Sequence, residues 1–184
     1  MREALWARLR DWRYALPGWV GRHAPGPDAA AAERLCRRAQ LAGMMVTPGY
    51  FHGPQDTPDS MAAAHCAMAA RLAGCAGAYL SVKGPAMGHD PAMLVQVAQA
   101  AARAGLSVLL DAHGPGQADA TIAALPVLAE HVGDAGLALP ARWPRSLRDA
   151  AALRDTPARL RIVMGEWPDP DCDTPGEAAY LALV

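Results

Sequence analysis

The chain reads as an α/β fold built on a parallel sheet, and three observations carry that reading. Short apolar runs of strand character begin near residues 44, 78, 106, 136 and 159. Between them lie alanine-rich stretches of helical length, and caps stand where those helices should start, as in Thr57-Pro58-Asp59 and Asp90-Pro91. Strands that alternate with helices of about ten residues or more form βαβ units and hence a parallel sheet. The spacing is compatible with a (β/α)8 barrel of the TIM type, with an open doubly wound sheet as the competitor. About five units are legible, fewer than the eight that close a barrel, and the chain ends within a sixth helix. The expected fold is therefore a partial barrel, preceded by N-terminal helices and without its C-terminal units.

The elements follow in order. Residues 2–16 place Leu5, Leu9 and Trp12 at helical spacing, and Pro17-Gly18 ends that piece. Asp28 is an N-cap for an alanine-rich helix to about Ala42. Residues 1–42 thus form an N-terminal helical part and 43–184 the incomplete barrel. Met44 to Phe51 is the first strand, and a helix runs from Thr57 to about Ala73. Ala78 to Gly84 is the second strand, with a helix from Asp90 to Ala104. Leu106 to Ala112 precedes a helix from Ala118 to Val132, and Gly136 to Pro140 one from about Pro144 to Leu153. Arg159 to Glu166 is the fifth strand. A loop of prolines and aspartates then leads to a helix beginning at Gly176.

Composition excludes several classes. With 17 basic and 18 acidic residues the net charge is −1, so the chain carries no electrostatic footprint for nucleic acid. A hydrophobic content of 52% suffices for a core. No run reaches bilayer length, and the N-terminus, with Trp6, Trp12 and Trp19 among arginines, is not a secretory signal. Cys36, Cys66, Cys75 and Cys172 have no C-x-x-C spacing and read as small apolar residues in a reducing, cytoplasmic setting.

Lys83 is the only lysine of the chain; every other basic residue is arginine. Lysine offers a compact ammonium with an adjustable pKa, where guanidinium is a planar fork that stays charged. A tight anion pocket or an amine nucleophile needs that difference, although chance survival of a surface lysine is the plain alternative. Strand side chains alternate in direction, so Lys83 shares a side with Ser81 and Tyr79, and Asp111 with Leu109 and Ser107. Arg161 alternates with Leu160 and Ile162. Three strands thus each bring one charge, Lys83, Asp111 and Arg161, toward a common interior at the carboxyl ends, where α/β folds do their chemistry. Two cations against one carboxylate suit an anionic ligand. An internal ion-pair network without chemistry is the other reading.

Metal chemistry is not expected. Asp111-x-His113, His52 and His89 follow strands, but no H-x-H is present, and His113 before Gly114-Pro115-Gly116 reads as a solvated loop residue. That turn is no phosphate loop, since its proline lacks a donor, and no G-x-S-x-G elbow is present.

Three motifs, taken together, resemble the proline dehydrogenase family of flavoenzymes. Tyr79-Leu80-Ser81-Val82-Lys83-Gly84-Pro85-Ala86-Met87-Gly88 is similar to its S-[IV]-K strand, Leu109-Leu110-Asp111-Ala112 to its aspartate strand, and Arg161-Ile162-Val163-Met164-Gly165-Glu166-Trp167 to its R-L-V-K-G segment. The likeness spans roughly residues 40–184. It departs at Met164, where the family has lysine, and around Leu137–Pro140, where the family shows a glutamine. The family's last helix, with its tyrosine and paired arginines, is expected beyond Val184, and no candidate for that arginine pair follows Arg161. The resemblance implies a (β/α)8 barrel that oxidises L-proline, or a related cyclic amino acid, to pyrroline-5-carboxylate by hydride transfer to FAD. It implies reoxidation by a separate acceptor, such as a quinone reached by peripheral membrane association. It further implies that Lys83 pairs with the substrate carboxylate and that Asp111 holds neighbouring groups on the substrate side. Arg161, with Val163, would meet the flavin. Two other expectations remain: a Schiff-base lyase with Lys83 as nucleophile, and a non-catalytic truncated barrel whose open sheet edge pairs with a partner.

Overall fold

A computed structural model of the chain describes residues 29–53, 55–174 and 176–184. The helix expected over 2–16 and the cap expected at Asp28 lie outside the described residues. Helices α1 (Ala29–Leu41) and α2 (Pro58–Arg71) precede strand β1 (Tyr79–Val82). Helix α3 (Pro91–Ala104), strand β2 (Ser107–Leu110), helix α4 (Ala118–Ala129) and strand β3 (Ala135–Pro140) follow. Helix α5 (Arg145–Leu153), strand β4 (Arg159–Val163) and the short helix α6 (Glu177–Leu181) complete the described elements. The strands form one parallel sheet in the order β1-β2-β3-β4, each beside the strand that precedes it in sequence.

Local chemistry accounts for the helix starts. Thr57 and Ser60 form a reciprocal capping box, Thr57 Oγ1 accepting from the Ser60 N–H and Ser60 Oγ from the Thr57 N–H, with Pro58 at the first helical position. Asp90 accepts from the N–H groups of Ala92 and Met93 at the head of α3.

The expected strand at Met44–Phe51 is reduced to a single parallel bridge, Gly49 to Ser81. Tyr79 N–H donates to the Val46 carbonyl and Ser81 N–H to that of Pro48, so the segment does run beside β1. Pro48 has no N–H to extend the ladder. Gly49 approaches β1 so closely that a Cβ there would lie 3.0 Å from Ser81 Cβ. The last strand ends at Val163, short of the expected Glu166. The chain turns at Gly165, with φ +91°, where an added Cβ would lie 2.8 Å from Pro140 Cβ.

Alternation divides the sheet into two faces. Leu80, Val82, Val108, Leu110 and Leu137 are no more than 1% exposed and join the helices' buried residues in one core. Each contributes about 1.5–3 kcal/mol by leaving water. Cys36 on α1 belongs to the same core, so α1 packs on the sheet's helix layer. The opposite face carries Tyr79, Ser81 and Lys83 from β1 and its end, Leu109 and Asp111 from β2 and its end, and Arg159 and Arg161 from β4. Among the described residues no helix is long and apolar enough to cross a membrane.

Candidate functional site

On that opposite face, at the carboxyl ends of the strands, lies a cavity of about 560 Å³. This falls within the range of about 300–1,000 Å³ usual for small-molecule sites. Lys83, Asp111, Arg161 and Val163 all line it. The register explains the meeting. Ser81 pairs with Leu109, and the Asp111 N–H donates to the Val82 carbonyl, which sets residues 83 and 111 side by side just past the strands. Arg161 pairs with Ala138 across β3 and β4.

Lys83 Nζ donates to Asp111 Oδ2 at 2.8 Å, and the Lys83 side chain is almost wholly buried while that of Asp111 is a quarter exposed. Burying an ammonium costs several kcal/mol unless it is paired, and here the carboxylate supplies the pair. The Phe51 ring lies over the same ammonium, its centroid 4.0 Å from Nζ. Arg161, by contrast, is exposed and has no hydrogen-bond or ion-pair partner among the described residues. The cavity therefore holds one neutralised cation and one free one.

His113 corrects its sequence reading. It is not a solvated loop histidine: it is half-buried, stacks on Trp167 with centroids 6.4 Å apart, and its Nε2 is buried without a partner among the described residues. Burial, reinforced by Lys83, lowers its pKa against the opposing pull of Asp111. Behind β1, His65 is fully buried on α2, with Nδ1 2.7 Å from the Met61 carbonyl. Its Nε2 faces the Ser81 backbone without a hydrogen bond of normal geometry, and burial again lowers the pKa.

The loop after β4 is held by residues that sequence patterns did not single out. Arg142, just past β3, grips Asp173 through Nε at 2.7 Å and Nη2 at 2.5 Å, and Nη1 reaches the carbonyls of Gly165 and Glu166. Trp143 Nε1 donates to the Trp167 carbonyl at 2.8 Å. These contacts fix Glu166 and Trp167 at the rim of the cavity. No local signal marks Arg142 or Phe51, because each acts on a segment far away in sequence.

Two other hollows carry less chemistry. One, about 10 Å³, holds room for a single water beside His113, Thr121 and Asp149. The other, about 490 Å³, is an apolar groove between α4 and the residues before β4. Of the four cysteines, all free, Cys36 and Cys75 are buried and Cys172 is exposed, none lining the strand-end cavity. Compared with known proteins, the chain matches no family model and no curated protein.

Proposed function

We propose that the chain is proline dehydrogenase-like, its sheet an arc of a (β/α)8 barrel whose strand-end cavity takes L-proline or a related cyclic amino acid for FAD-dependent oxidation. The observation that carries this reading is the meeting of Lys83, Asp111 and Arg161 in one cavity at the carboxyl ends of parallel strands. Strand order supports the barrel arc, since each strand neighbours its predecessor and the core lies on one face.

In this reading Lys83 binds the substrate carboxylate and Asp111 fixes Lys83 by the 2.8 Å bond. Val163, Pro140 and Trp167 offer apolar surface, and Arg161 a cation with no partner among the described residues. That donor set fits a flavin ring, which Arg161 and Val163 would hold. Bound FAD supplies the two-electron acceptor that no side chain here provides, and the protein supplies position and charge. The substrate loses two electrons and two protons, and a separate acceptor removes the electrons afterwards. The Schiff-base reading is less well supported, because a nucleophilic amine must be free and Asp111 binds the ammonium form.

The test is reconstitution with FAD. Visible flavin absorption should stay with the protein through gel filtration and bleach when L-proline is added without oxygen. Lys83→Met should keep the flavin and raise KM for proline about 10- to 100-fold, the worth of one charge-assisted hydrogen bond. Failure to retain FAD, together with borohydride trapping of a carbonyl compound on Lys83, would move the assignment to a lyase.

A further inference from the structure

The anion-binding ammonium of the proposed site is already covered. Lys83 is 5% exposed, whereas Phe51, whose ring lies 4.0 Å above it, is 70% exposed. An aromatic ring so open to water gains little by burial; what holds it there is the attraction of a cation for the ring face. The ring sits on the 44–53 segment, which meets β1 through the Gly49 bridge and is tied down by Asp56. Asp56 accepts from the Gly53 N–H at 2.7 Å and from the Tyr50 hydroxyl at 3.1 Å. The backbone is thus held on both sides of Phe51, by the Gly49 bridge and by the Gly53 N–H on Asp56, and the exposed ring has solvent beside it.

We infer that Phe51 sets the affinity of the site: its ring occupies the face of the Lys83 ammonium that a ligand carboxylate must reach, and ligand binding exchanges ring for carboxylate. This rests on the reading that Lys83 receives a carboxylate. Asp111 keeps its bond to Lys83 throughout, so the exchange changes only the open side of the ammonium. A bound anion therefore competes with the ring, and removing the π face strengthens binding. The groups around that exchange are Asp111, His113, His52, Glu166 and Arg161, all lining the same cavity.

The solitary lysine makes the test direct. Protein labelled with ¹³C at lysine gives side-chain resonances from Lys83 alone. In the unliganded protein its ε-methylene signal should lie upfield, under the Phe51 ring current, and move downfield in Phe51→Leu. Cyclopentanecarboxylate, which has the ring and carboxylate of proline but no nitrogen to oxidise, should produce the same downfield movement in the wild type. Its affinity should rise about 2- to 30-fold in Phe51→Leu, the range of a cation–π contact, and fall or stay equal in Phe51→Trp. Equal resonances and equal affinities in wild type and Phe51→Leu would overturn the inference, as would weaker binding in Phe51→Leu, which would make the ring a wall that packs on the ligand. Lys83→Met separates the two ideas. If it loses affinity while the Phe51 variants do not respond, the carboxylate site stands and the cover fails. If it binds as the wild type does, the carboxylate site fails, and the exchange at Lys83 fails with it.

Discussion

Arg159 and Arg161 stand on the same face of β4, one strand repeat apart, and meet opposite fates. Arg159, at the amino end, pairs with Asp134 at 2.9 Å and lies over the Tyr79 ring, whose hydroxyl bonds the same carboxylate at 2.6 Å. That cluster is complete in itself. Arg161, at the carboxyl end, lines an open cavity beside a lysine–aspartate pair and finds no partner of its own among the described residues. A charge on a strand is therefore not a site. Of these two arginines, only Arg161 is left unmatched beside a cavity among the described residues.

The largest expected effect that sharpens this contrast is at the cavity. Lys83→Met strands a carboxylate that is only a quarter exposed. Urea unfolding should show a loss of about 1–3 kcal/mol, scaled down from a fully buried pair because solvent reaches Asp111. Lys83→Met with Asp111→Asn should recover part of it. A double variant no more stable than the single one would mean the pair is not coupled.

The second effect is acid sensitivity. His65 and His113 both have folded pKa values below their ordinary 6.5 because burial disfavours the imidazolium. The unfolded chain then binds protons more readily than the fold. Stability is thus full above about pH 6.5 and falls as pH drops toward each folded pKa, by up to about 1.4 kcal/mol per pH unit per histidine. Urea midpoints measured between pH 7.5 and 5 should decline, and His113→Asn should flatten the slope without removing it, since His65 remains. An unchanged slope would show that His113 does not titrate with unfolding.

The smallest effect is expected at the amino end. Arg159 is mostly exposed, so Arg159→Met should cost about 0–1 kcal/mol and leave ligand affinity at the cavity unchanged. A larger loss, or a change in affinity, would erase the distinction between the two ends.

Much of the frame was legible in local patterns. Period-two alternation put Lys83 with Ser81 and Asp111 with Leu109 within their own strands, while the face that Lys83, Asp111 and Arg161 hold in common comes from the inter-strand register. Caps at Thr57 and Asp90 announced their helices for an equally local reason. The first strand was over-read, since apolar character at Met44–Val46 said nothing of how few bonds Pro48 would leave. The Gly-Pro-Gly turn after His113 predicts a solvated residue, and the chain nearby contains no sign of Trp167 stacking on it.

By itself, then, the sequence determined which side chains of one strand share a face and where helices begin, since both depend on neighbours within a few residues. Tertiary structure alone decided that Asp111 neutralises Lys83, that Phe51 covers it, that Arg142 ties down the loop bearing Trp167, and that Arg161 finds no partner among the described residues. Each of those outcomes depends on strand register or on segments far apart in the chain, and charge compensation is a property of distance in space.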